Sequence, residues 1–164
     1  MSENRPDIIR GVLVQFGGGR LLLPNANIAE VLSYSDPERL DDVPDWFLGR
    51  IRWRGWQLPL VAYGRLTGLA SDETGTLGSK VVVLKALGDD TRRPYFAMLT
   101  QGFPRLVTVT AASLEEDPEA GTLPDTVLRQ LRFNEDVAVL PDLLAIESRI
   151  RHAMNNLEQA ALIA

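Results

Sequence analysis

The side chains that could do chemistry are few, and their spacing favours recognition over turnover. The chain carries no cysteine and a single histidine, His152. That excludes disulfides, thiolate metal sites, redox pairs and cysteine nucleophiles, and leaves almost nothing from which to build a general base. Two adjacent acid pairs, Asp41/Asp42 and Glu115/Glu116, could in principle divide acid and base roles. Neighbouring residues on an extended chain point in opposite directions. Both pairs also sit in acidic, proline-bearing stretches without the apolar surroundings that set two carboxylates to different tasks. They read as solvated loops. Gly17-Gly18-Gly19 lacks the Gly-x-x-x-x-Gly-Lys-Ser/Thr spacing of a phosphate cradle, and another strand follows it, so it reads as a hairpin link.

The one cluster that stands out is Trp46 to Val61, which contains Arg50, Arg52, Trp53, Arg54 and Trp56. An aromatic and basic hairpin could stack single-stranded nucleic acid, but the cluster is local and the chain is acidic. A strand, an Arg54-Gly55 turn and a return strand would project a guanidinium at a rigid tip. Arginine and tryptophan are enriched where protein interfaces concentrate their energy, and a guanidinium suits carboxylate pairing. Two readings follow. Arg54 reaches a partner, or it pairs internally with Glu30 and braces the fold.

Other elements must hold that hairpin. Ile8–Phe16 and Arg20–Pro24 alternate as strands, with Val12, Val14 and Phe16 on one face. Ile28–Tyr34 is a third strand, with Ile28, Glu30, Leu32 and Tyr34 on one side. Residues 67–79 are rich in Gly, Ser and Thr and read as a mobile connector between two halves. Beyond them, 80–87, 95–100, 106–110, 128–133 and 137–140 look like strands, the last two joined through Asn134-Glu135-Asp136. Asp142 offers a helix cap, after which Leu143, Ile146, Ile150, Met154, Leu157 and Ala161 recur at helical steps. His152 lies on the polar side of that helix or at its edge. The helix either packs along the sheet or is offered to a partner or a second copy.

The size and charge agree. The chain has 164 residues with 17 Lys+Arg and 22 Asp+Glu, a net charge of −5, and 45% apolar content. One compact unit or two small intertwined ones fit that length without metal or disulfide staples. The acidity argues against duplex nucleic acid. Runs such as Val81–Leu84 are far too short to span a bilayer, and Met1–Pro6 opens without an apolar export segment. A cytoplasmic protein is expected.

Three stretches together resemble the CheW-like family, the adaptor domains of bacterial chemosensory arrays. They are Leu21–Pro24 leading into Ile28-Ala29-Glu30-Val31-Leu32, then Val43-Pro44-Asp45-Trp46-Phe47-Leu48-Gly49-Arg50-Ile51, then Trp53-Arg54-Gly55-Trp56-Gln57-Leu58-Pro59-Leu60-Val61. The resemblance implies a mainly β fold of two intertwined five-stranded SH3-like barrels and a C-terminal helix. It places a CheW-like domain over 8–152, with a first barrel at 8–66, a connector at 67–79 and a second barrel at 80–140, and the amphipathic helix over 142–163. It implies no catalysis and no cofactor, and as partners a CheA-like histidine kinase regulatory domain and the cytoplasmic tip of a chemoreceptor. Ile28, Glu30, Gly49 and Arg54 match positions lining the family's partner groove. The sequence departs from the family pattern at Arg52, where an asparagine is usual, at Ala62, where an aspartate is usual, and across Tyr95–Pro104. In this it is more similar to the accessory CheW-like proteins of type IV pilus chemosensory systems. The residues alone also leave open a small-ligand barrel with the hairpin as its floor, or a module that self-associates through its helix.

Overall fold

A computed structural model describes residues 8–110, 113–133 and 136–163. The Met1–Pro6 opening and the Asn134-Glu135 turn expected from sequence lie outside these. The described chain is mainly β, with ten strands, a 3-10 turn at Asn25–Asn27, a one-turn α-helix and one long α-helix. The strands are β1 (Ile8–Phe16), β2 (Gly19–Pro24), β3 (Ile28–Ser33), β4 (Phe47–Trp53), β5 (Trp56–Val61), β6 (Ser79–Lys85), β7 (Tyr95–Thr110), β8 (Leu114–Glu116), β9 (Val127–Phe133) and β10 (Asp136–Pro141). The helices are α1 (Tyr63–Thr67) and α2 (Leu143–Ile163).

β7 ties the molecule together. Residues 95–100 and 106–110, expected as two strands, are one 16-residue strand. Its first half pairs antiparallel with β6, and its second half pairs antiparallel with β1. The Gly102-Phe103-Pro104 stretch between those two expected strands is an irregularity within the one strand. Gly102 takes φ +73°, and the register against β1 shifts there between Leu13 and Gln15. A glycine with positive φ and a proline without an N–H belong in such a bulge.

The two strand groups therefore interleave along the chain and do not divide at 67–79. One joins β3, β4, β5, β6 and the start of β7; the other joins β1, β2, β8, β9, β10 and the end of β7. Neither the 8–66 nor the 80–140 segment supplies a whole barrel by local pairing, because β1–β2 finds its neighbours in β7 and β10. The sheet is also not fully closed, since β3 pairs with β6 and β4 with β5 but not with one another.

Three apolar cores follow from strand alternation. Val12, Val14, Phe16, Leu21 and Leu23 face a central core shared with Val82, Leu84, Phe96 and Met98. The opposite faces of the same strands fill the two lobes: Leu13 and Leu22 in one, Val81, Val83, Ala97 and Leu99 in the other. Val81–Leu84 is apolar without interruption because both of its faces are buried. Asp142 caps α2 as expected, its Oδ1 accepting the Ala145 N–H at 3.0 Å. Leu143, Ile146, Ile150 and Ala153 then enter the central core, while the turns beyond Met154 are mostly exposed.

The 67–79 connector is anchored, contrary to its composition. Glu73 is only 4% exposed. Its carboxylate accepts the N–H of Gly17 and the N–H of Gly64, each at 2.7 Å. The β1–β2 turn, α1 and the connector thus meet on one side chain.

Candidate functional site

The β4–β5 hairpin is built to display its turn. Trp53 and Trp56 pair across it, and Arg54 and Gly55 close it with φ of +47° and +82°. Positive φ at both central positions is the two-residue turn whose twist matches the strands. Glycine takes that conformation freely, whereas arginine does so at some strain. The aromatic residues stiffen the base. The Tyr95 ring lies edge-on to Trp53 at 4.9 Å and to Trp56 at 6.2 Å between centroids. Trp53 is buried, and its indole N–H has no hydrogen-bond partner among the described residues.

Arg54 makes the internal pair with Glu30 and remains accessible beside it. Its Nη2 donates to Glu30 Oε1 at 2.8 Å, and its guanidinium lies 4.8 Å from the Trp53 ring centre. Yet the Arg54 side chain is 69% exposed and Glu30 36% exposed, so the pair stays open to solvent. An exposed pair of this kind contributes about 0–1 kcal/mol to stability. Its charge and fork geometry remain available to a second carboxylate.

The four site residues do not share one face. Opposite β6, Ile28 pairs with Leu84 and Glu30 with Val83, so Ala29 is an extra residue in β3. That bulge reverses the alternation, which corrects the expected grouping of Ile28 with Glu30. Ile28 packs against the central core beside Leu84, whereas Leu32 and Tyr34 pack in the lobe with Val83. Gly49 is buried and has φ +145°; a Cβ there would lie 2.3 Å from the Glu38 carbonyl oxygen. Its place is structural: it lets β4 press against the Glu38 segment. Glu30 and Arg54 are thus the two that meet at the surface.

The shallow depression around the turn is lined by Arg52, Trp53, Arg54, Gly55, Trp56 and Gln57 alone. All six belong to one hairpin, so no opposing wall encloses a small molecule. Among the described residues no cluster of acids and His152 could hold a metal ion. Asp41 and Asp42 are exposed in a loop as expected, whereas Glu115 and Glu116, expected in a loop, are exposed on strand β8, with Glu116 paired to Arg129 at 2.9 Å. His152 is exposed on α2. Tyr95 is the member of the site that sequence reasoning missed. It arrives through the parallel pairing of β5 with β7, in which Leu60 meets Ala97, and no local pattern announces such a contact.

A model of the CheW-like domain family matches residues 10–151. The chain belongs to the CheW-like family. Membership makes it a scaffold-type domain in general terms. The fold is similar to the crystal structure of the scaffolding protein TtCheW from Thermoanaerobacter tengcongensis, with a TM-score of 0.69. The alignment covers 87% of this chain and 90% of that one at 14% identity, a likeness of fold. No curated protein matches the chain. No described helix is long and apolar enough to cross a membrane.

Proposed function

We propose that this CheW-like chain is a non-enzymatic cytoplasmic adaptor that couples chemoreceptor tips to the regulatory domain of a CheA-like histidine kinase, in a type IV pilus chemosensory pathway. The observation that carries the reading is the Glu30–Arg54 pair. It is held at 2.8 Å on a stiff hairpin and still faces solvent. A charge pair kept accessible on a rigid support suits exchange with a partner's charges, because little ordering is needed on binding. Family membership supports the scaffold role. The pilus assignment rests on the departures at Arg52, Ala62 and Tyr95–Pro104. In this reading Glu30 and Arg54 contact the partner, Gly49 sets the position of β4, and Ile28 supports β3 from the core side.

Titration calorimetry with the cognate kinase regulatory domain and with a receptor-tip fragment tests this. Arg54→Ala and Glu30→Lys should each weaken at least one complex by about tenfold, about 1.4 kcal/mol. Their melting temperatures should stay near that of the parent. If both variants bind both partners as the parent does, the site is elsewhere.

A further inference from the structure

Arg54 occupies a turn position that suits glycine, asparagine or aspartate, with φ +47°. A long cation there combines backbone strain with many rotamers, yet its guanidinium has a defined place. Glu30 Oε1 accepts from Nη2 at 2.8 Å, and the Trp53 ring centre lies 4.8 Å from the guanidinium. Glu30 stands on β3, an end strand of the sheet, and its side chain is 36% exposed, so water competes for the same hydrogen bond. The ring is the firmer support, because Trp53 is buried in the lobe with Leu58, Leu60 and Val81.

Tyr95 is what orients that ring. Its plane meets Trp53 at 70° and Trp56 at 62°, with ring centroids 4.9 and 6.2 Å apart. Trp53 and Trp56 flank the Arg54-Gly55 turn on either side. One side chain thus wedges against both legs of the hairpin directly below the turn. The Trp53 indole N–H has no hydrogen-bond partner among the described residues, so packing and not a polar contact fixes the ring. Tyr95 supplies that packing from outside the hairpin, since its backbone pairs with Lys85 on β6. Its hydroxyl, unlike those of Tyr34 and Tyr63, makes no hydrogen bond among the described residues. The aromatic edge is therefore what acts.

We infer that Tyr95 is a positioning residue of the partner site: by fixing the Trp53 ring it fixes the Arg54 guanidinium that rests on it. The inference rests on the adaptor reading and deepens it. With one face against Trp53 and one N–H given to Glu30, the guanidinium offers a carboxylate of the kinase regulatory domain its remaining in-plane N–H groups. A guanidinium ordered before contact loses less freedom on binding.

Calorimetry of the full chain with the CheA-like kinase regulatory domain tests this, in the parent and in an Arg54→Ala background. Tyr95→Leu keeps apolar bulk without a ring. It should weaken binding about three- to tenfold, the loss expected when one long side chain must be ordered on contact. Tyr95→Phe should bind as the parent does. Added to Arg54→Ala, Tyr95→Leu should lose nothing further, because its effect runs through Arg54. The Arg54 Nε–H signal in NMR reads the same contact without a partner. The Trp53 ring should hold it away from the free-arginine position in the parent and in Tyr95→Phe, and Tyr95→Leu should return it there. If Tyr95→Leu leaves that signal unmoved, binds as the parent does while Arg54→Ala does not, or keeps its full loss beside Arg54→Ala, the positioning inference fails and the adaptor reading stands. If Arg54→Ala itself binds as the parent does, the site reading falls and the inference with it.

Discussion

The Oε1 of Glu73 accepts the backbone N–H of Gly64 at 2.7 Å inside the protein. Its other oxygen holds the N–H of Gly17 at the same distance. A glutamate from the least apolar stretch of the chain thus fastens the tip of one hairpin to the helix that follows another. The glycines are required there, since a Cβ on Gly17 or Gly64 would come within 2.9 Å of the Glu73 side chain. Glu73→Ala would strand both N–H groups, at about 1–3 kcal/mol for each buried one. We expect a loss near 3 kcal/mol by urea unfolding, and roughly half of it for Glu73→Gln, which keeps one acceptor. An Ala variant as stable as the parent would mean water replaces the carboxylate.

Gly49 separates a structural role from a binding role. A Cβ there would sit 2.3 Å from the Glu38 carbonyl oxygen and 3.0 Å from Pro37, on a backbone with φ +145°. Gly49→Ala should lose about 2 kcal/mol or more in thermal unfolding. Gly55→Ala, where φ is +82° but nothing lies within 4 Å, should lose only about 1 kcal/mol. Equal effects at the two positions would show that backbone conformation alone matters, and that the approach of Glu38 does not.

Much of the architecture was legible because burial on one face imposes a period of two. Val12, Val14 and Phe16 do face one core, and the Asp142 cap stands where the helix stripe begins. What escaped were non-local events. The Ala29 bulge turns Ile28 away from Glu30, and no composition rule marks it. Gly102 and Pro104, between two expected strands, are absorbed as a bulge because β1 and β6 grip β7 on either side. The 67–79 stretch read as a mobile connector because the two partners that anchor Glu73 are backbone groups, which sequence does not distinguish. The Glu30–Arg54 contact was visible as an alternative from residue type alone. Its exposure was not, since that depends on how far the turn projects.

The terminal helix divides into a packed half and a displayed half. Ile146 is fully buried in the central core, whereas Leu162 is 85% exposed. Ile146→Ala should lose about 3 kcal/mol, within the usual range for emptying a buried aliphatic site, and Leu162→Ala should change stability by less than about 0.5 kcal/mol. Ending the chain after Asn155 removes the exposed Arg93–Glu158 pair at 3.4 Å and the partly buried Leu157. Denaturant midpoints should place that loss below about 1 kcal/mol. A larger loss would show that the distal turns pack more firmly than their exposure indicates.

Asp117 gives the fold an acid-sensitive point. Its carboxylate accepts from the Gln130 amide at 2.8 Å, the Glu119 N–H at 3.1 Å and the Arg132 Nε at 3.2 Å. The Gln130 and Glu119 hydrogen bonds, with the Arg132 charge beside them, favour the ionised form and hold the pKa below its ordinary value. A carboxylate whose pKa is lowered by folding adds stability above its unfolded pKa of about 3.9. That stability disappears as the pH falls through the lower folded value. Asp117→Asn removes the titration while keeping an oxygen acceptor. The stability gap between parent and variant, followed by chemical unfolding from pH 7 downwards, should stay level until about pH 5 and then narrow. A gap unchanged down to pH 3 would mean that these hydrogen bonds serve the neutral acid equally well, and that the β8–β9 edge is not where acid loosens this protein.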